Sequence, residues 1–203
     1  MVAYSSVSHL GFVMLGLFAL NSQGLQGGIL QMINHGISTG ALFLIVGMLY
    51  ERRHTRDMDA FGGLWKVMPI YGALTLIVVL SSMGLPGLNG FVGEFAILLG
   101  SWGAGLPGGV LGSPWFTALA ALGIILAAVY LLFMFQKLFL GPVTKEENRV
   151  LSDLNWREIL TLAPLIILIF WIGLYPNPFF NLMSASVDQL LSAMQTAAVA
   201  GIP

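Results

Sequence analysis

The first 50 residues contain no Lys, Arg, Asp or Glu, and an uncharged stretch of that length has few structural solutions. About 20 apolar residues in a helix, at 1.5 Å per residue, cross a hydrocarbon core about 30 Å thick. Asn21-Ser22-Gln23-Gly24 interrupts the run, so the pattern predicts one helix near 3–20 and another near 27–50. Further apolar runs lie at 68–102, 115–140 and 159–175. Composition agrees: 57% of residues are hydrophobic and 8% are charged, where a soluble domain has about 25% charged. The class is therefore an all-α integral membrane protein whose first partner is the lipid bilayer. A net charge of -1 supplies no field to hold a phosphate backbone, which excludes nucleic acid as a partner. With no cysteine, thiolate metal sites, iron–sulfur clusters and disulfides are excluded as well.

The 68–102 run is the ambiguous one, because Ser81-Ser82-Met83-Gly84-Leu85-Pro86-Gly87-Leu88-Asn89-Gly90 sits in its middle. Each half is shorter than the roughly 17 residues that crossing requires, so the expectation is one broken helix, giving about five transmembrane helices in all. With a single crossing, loop 51–66, loop 141–158 and Lys137 fall on one face, and that face holds all 8 basic residues. The positive-inside rule makes it cytoplasmic and puts the C-terminus outside. Tyr50, Trp65, Trp102, Trp115, Trp156 and Tyr175 fall at or just beyond span ends, where amphipathic rings prefer the interface. The chain thus divides into a transmembrane unit, 1–175, and an amphipathic tail, 176–203. In the tail Phe179, Met183, Val187, Leu190, Leu191 and Met194 share one face and Ser184, Asp188, Ser192 and Gln195 the other, the pattern of an interfacial helix or of a cover against a partner subunit. No secretory leader is expected, since Met1 opens into an apolar segment without a basic region, and the abrupt start reads as though upstream sequence were missing.

An ionisable group at membrane depth is costly and is therefore a functional candidate. Glu94 is the only acidic residue inside any predicted span, and counting back from residue 102 places it roughly 12 Å from the outer boundary. It directly follows the break at Pro86, where a discontinuous helix frees backbone groups and admits water. The competing reading is a protonated glutamate bonded to a neighbouring helix. His9 and His35 lie at similar depth, each with polar neighbours at helical spacing: Ser5 and Ser8 for His9; Gln31, Asn34 and Ser38 for His35. Both types of site suit proton passing, and both also suit interhelical hydrogen bonding. Lys137 either joins such a relay or snorkels to the interface, and Tyr130 either lines water or packs. Gly36 and Gly40 form a small-xxx-small spacing that points to close helix packing. His54 lies in a loop and reads as structural. No nucleotide, phosphate, haem or metal motif is present.

Four strings, in this order, resemble a known family: Ala3-Tyr4-Ser5-Ser6-Val7-Ser8-His9-Leu10-Gly11-Phe12, Met32-Ile33-Asn34-His35-Gly36, Leu49-Tyr50-Glu51-Arg52-Arg53-His54-Thr55-Arg56-Asp57 and Leu85-Pro86-Gly87-Leu88-Asn89-Gly90-Phe91-Val92-Gly93-Glu94-Phe95. They are similar to the chain M (chain 4) antiporter-like subunits of proton-pumping NADH:quinone oxidoreductase, respiratory complex I. The related L and N chains and the multisubunit Na+/H+ antiporters share the general pattern, but the L and N chains resemble this one with a Lys where Glu94 stands. The resemblance implies proton translocation, with Glu94, His35 and His9 as the relay and with Lys137 and Tyr130 as further candidates. It implies no cofactor in this chain, the NADH, flavin, iron–sulfur clusters and quinone belonging to partner subunits. The family has two inverted halves and this chain matches only the second, so a missing N-terminal half or its equivalent is an implied partner. The implied location is a bacterial plasma membrane. The alternatives are a subunit of a multisubunit Na+/H+ antiporter and a non-transporting structural fragment.

Overall fold

A computed structural model describes residues 1–199, and all regular structure among them is helical. The elements are α1 (Val2–Phe18), α2 (Ser22–Arg53), a 3₁₀ turn (Met58–Ala60), α3 (Leu64–Val67), α4 (Pro69–Ser82), α5 (Asn89–Gly105), α6 (Trp115–Phe139), α7 (Glu146–Arg149), α8 (Trp156–Leu174) and α9 (Asn177–Val199). Three of them, α2, α6 and α8, are long and apolar enough to cross a membrane, and α1 and α4 are shorter apolar helices.

Local chemistry sets the boundaries. Asn21 ends the first apolar run and starts the second, its side chain accepting the Gly24 N–H at 2.8 Å. Capping there lets α2 begin at Ser22, five residues before the predicted 27, and it runs 32 residues to Arg53. Pro69 stands in the first turn of α4, where its missing N–H costs nothing. Asn155 and Glu158 form a capping box at the start of α8.

The break between α4 and α5 does not reverse the chain. Tyr71 Oη donates to the Ile45 carbonyl, Ser81 bonds Ser38, Asn34 donates to the Asn89 carbonyl, Gln31 reaches Glu94 and Asn21 reaches Gly100. Partner numbers fall along α2 as they rise through α4 and then α5, so both halves run antiparallel to α2 in one direction. Alone, α4 is about 21 Å long and α5 about 25 Å; end to end they make one crossing. This is the single broken helix expected for 68–102.

The two charged loops pack together at one end of the bundle. Arg52 holds Glu158 with two hydrogen bonds of 2.6 and 2.7 Å, Arg53 pairs with Glu147 and donates to Asn148, and Lys137 pairs with Asp59. The Asp153 carboxylate accepts the N–H groups of Ile70 and Tyr71 and so caps α4. Beneath this layer Tyr71, Phe135 and Phe139 stack. At the opposite end α9 lies against α2, with Ser22 donating to Asp188. Val187 is buried there and Phe179 and Met183 join the core, while Leu190 and Met194 stay exposed. The last four residues of the predicted tail lie outside the described residues.

Candidate functional site

The site is built where α1, α2 and α5 meet beside the helix break. Glu94 lies in the second turn of α5 and is 3% exposed; His9 in the middle of α1 is 5% exposed. The two meet at 3.1 Å between His9 Nδ1 and Glu94 Oε1. Gln31 of α2 donates its Nε2–H to the same oxygen at 3.2 Å. The His9 ring faces that of His35, with centroids 5.6 Å apart, and His35 Nδ1 lies 3.1 Å from Thr39 Oγ1. A continuous polar line therefore runs Glu94, His9, His35, Thr39.

Two glycines make this approach possible. A Cβ at Gly93 would press on the Gln31 side chain, 3.0 Å from its Cβ, and push its amide away from Glu94. Gly84 (φ +77°) turns the chain at the break, and a Cβ there would sit 2.7 Å from Glu94 Oε2. Beside the carboxylate an amide and hydroxyl network ties the break to α2. Asn34 donates to the Asn89 carbonyl at 2.7 Å, Asn89 Nδ2 returns a bond to Asn34 Oδ1 at 3.3 Å, and Ser81 bonds both Ser38 and Asn89. All four residues are buried.

A small cavity of about 10 Å³, lined in part by His9, Gln31, His35, Thr39 and Ser82, lies among these groups. That is about the space of one water. His9 Nε2, Gln31 Oε1 and Ser82 Oγ are buried and unpartnered among the described residues, and such atoms accept or donate to water readily.

The arrangement brings together all three expected relay residues, Glu94, His9 and His35. Tyr130 comes to the same cluster from α6, near Ser5 and Glu94, its hydroxyl buried without a partner among the described residues. Lys137 is not brought in: it lies two turns further along α6, about 10 Å along the axis, against Asp59. His54 ends α2 in the left-handed conformation, φ 50°, with its ring edge-on to Tyr50. Gly36 and Gly40 contact nothing through a built Cβ, so their face is not packed against another described helix. The sequence reading missed Gln31 as the donor to Glu94, and missed Asn89 and Ser81 altogether. Gln31 carried a signal, four residues before His35 on one face; Asn89 carried only its place in the break.

Chemically, a carboxyl and an imidazole in contact hold one proton between them. Acid plus neutral imidazole and carboxylate plus imidazolium are both neutral overall, so the proton shifts without burying net charge. A second imidazole alongside offers the next acceptor. Among the described residues no group of three or more His, Asp or Glu could hold a metal ion.

Residues 1–120 match the transmembrane family described as NADH:quinone oxidoreductase/Mrp antiporter. The chain is 44% identical over 191 residues to NADH-quinone oxidoreductase subunit M of Rickettsia conorii, covering 94% of this chain and 37% of the relative. It is 42% identical to the subunit of the same name from Pseudomonas aeruginosa, covering 95% and 36%. The chain thus spans a little over a third of the length of these curated relatives. Among solved structures it is similar to a chain of respiratory complex I from Thermus thermophilus, at 36% identity and a TM-score of 0.80 over 94% of this chain and 39% of that one. It also shares its fold with a chain of the Mrp complex from Dietzia, at 19% identity and a TM-score of 0.81 over 94% and 42%.

Proposed function

The chain belongs to the NADH:quinone oxidoreductase/Mrp antiporter family of membrane subunits, and from that premise we propose that it translocates protons as part of an NADH:quinone oxidoreductase. The observation that carries the proposal is the buried 3.1 Å contact of His9 with Glu94 beside the helix break. A protonated carboxyl or a neutral pair rests stably in hydrocarbon; a change in nearby charge shifts the proton between the two groups and on to His35. Oxidation of NADH, with its flavin, iron–sulfur clusters and quinone, belongs to partner subunits. Other membrane subunits complete the assembly in which this segment works.

This chain is an integral membrane protein, and its bilayer is a bacterial plasma membrane. The end that gathers Arg52, Arg53, Lys137 and Arg157 faces the cytoplasm, and the end of α8 faces outside. Residues 1–175 form the membrane-spanning unit and 176–203 its amphipathic tail. The subunit M relatives are far more similar in sequence than the Mrp chain, 44% against 19%, which favours the oxidoreductase over an Na+/H+ antiporter.

The direct test is Glu94→Gln in the full assembly. The amide retains size and hydrogen bonding but cannot ionise, so assembly stays intact and the number of protons moved per electron falls. An unchanged proton-to-electron ratio in that variant overturns the proposal.

A further inference from the structure

Between α2 and α8, near the charged loops, lies a groove of about 670 Å³, a size within the roughly 300–1,000 Å³ typical of ligand pockets. Gly40, Phe43, Leu44 and Gly47 line it from α2 and Leu165 from α8. Neither Gly40 nor Gly47 has anything within 4 Å of a built Cβ, so the α2 wall is recessed. From Glu51 at the mouth to Gly40 the groove follows α2 for about 16 Å. Exposed Tyr50 and Trp156 flank the mouth and set it at the level where aromatic rings mark the membrane–water boundary.

The charges at that mouth discriminate between ligands. Glu51, Arg157 and Glu158 all line the opening. Glu158 is already neutralised by Arg52. Most of the other loop charges are also engaged: Arg53 with Glu147, Lys137 with Asp59 and Arg149 with Glu146. Glu51 and Arg157 have no ion-pair partner among the described residues and are exposed. An apolar trough that ends at one unpaired cation and one unpaired anion complements a molecule with an apolar tail and both charges on its head.

We propose that this groove binds one zwitterionic aminophospholipid of the phosphatidylethanolamine type. Arg157 holds the phosphate, Glu51 holds the ammonium, and one acyl chain lies against Gly40 and Gly47. An anionic lipid would satisfy Arg157 and leave Glu51 unpaired and facing a like charge. The zwitterion satisfies both, and basic side chains between helices at this depth recognise lipid headgroups.

The test uses the intact assembly in bilayers that contain a phosphatidylethanolamine or a phosphatidylglycerol with a photoreactive group in one acyl chain, followed by peptide mapping. Phosphatidylethanolamine is expected to label the segments around Gly47 and Leu165, and phosphatidylglycerol much less. Arg157→Gln and Glu51→Gln each lower phosphatidylethanolamine labelling about fivefold, the weight of one charge near a lipid surface, and Glu51→Gln raises labelling by phosphatidylglycerol. Gly47→Leu fills the groove and removes labelling with the headgroup charges intact. Equal labelling of the parental assembly by the two lipids overturns the proposal, as does labelling indifferent to Glu51→Gln and Arg157→Gln. A photoreactive amino acid placed at Gly47 decides the remaining case: cross-linking to a polypeptide there means that a helix, not a lipid, fills the groove.

Discussion

His9 and Glu94 are 85 positions apart in the chain and share one hydrogen bond in the interior of the helix bundle. The carboxylate reaches His9 and Gln31 through one oxygen, so side-chain length matters as much as charge. Glu94→Asp keeps an ionisable group but withdraws it by one methylene; proton translocation in the assembled complex is expected to fall without vanishing, and to stay above that of Glu94→Gln. Because His35 continues the line from His9 while His54 only ends α2, His35→Ala should impair pumping with electron transfer less affected, and His54→Ala should leave pumping near parental. Parallel measurements of proton uptake and NADH oxidation on the two variants check this, and equal pumping by both would return His35 to a packing role.

The broken helix α4–α5 is the element on which the site depends. Gly84 holds a left-handed conformation directly against the Glu94 carboxylate. Gly84→Ala should therefore destabilise by about 1–2 kcal/mol from the backbone alone and push the carboxylate aside, lowering translocation in complexes that still assemble. Asn89 joins the first turn of α5 to Asn34 and Ser81. Asn89→Leu would leave the buried Asn34 Oδ1 without its donor, at about 1–3 kcal/mol, and leave Ser81 with Ser38 alone, and a lower melting temperature in detergent is the expected readout. A variant that melts with the parent would mean that packing, not this network, holds the break in register.

Across the whole molecule, basic charge is segregated to one end, and that end is knitted by Arg52 and Glu158. The hydrogen bond from Arg52 holds the Glu158 carboxyl below the usual carboxylate range, burial opposes it, and the Asn155 N–H adds to the lowering. A carboxyl lowered on folding contributes stability that is fully present above the ordinary glutamate value and is lost as pH falls through the lowered one. Acidification through that window should reduce thermal stability, and Arg52→Gln should flatten this part of the profile. The topology has its own check, since the chain has no cysteine of its own. Single cysteines at Thr55 and Lys145 should react with an impermeant reagent from the cytoplasmic side and one at Val110 from outside. Opposite accessibility of Thr55 and Lys145 would exclude a single crossing by α4 and α5.

Spans, their breaks and the gathering of basic charge at one end were legible in the chain, because each rests on local quantities: the length of uncharged runs, a Pro-Gly interruption, the placement of eight basic residues. Hydrocarbon thickness turns those quantities directly into helices. The candidates Glu94, His9 and His35 were legible for the same reason, since a titratable residue inside a span stands out against an apolar background. That His9 touches Glu94, that Gln31 shares its oxygen, and that Asn89 and Ser81 brace the break were decided only by tertiary structure. Those contacts depend on the rotation and register of α1, α2 and α5, which are set by where glycine allows two backbones to approach. Lys137 shows the same division: its depth near the span end favoured snorkelling over the relay without deciding between them, and the folded position of Asp59 drew it to the charged end. Periodicity identifies which face of a helix is polar, but not which other helix that face will meet.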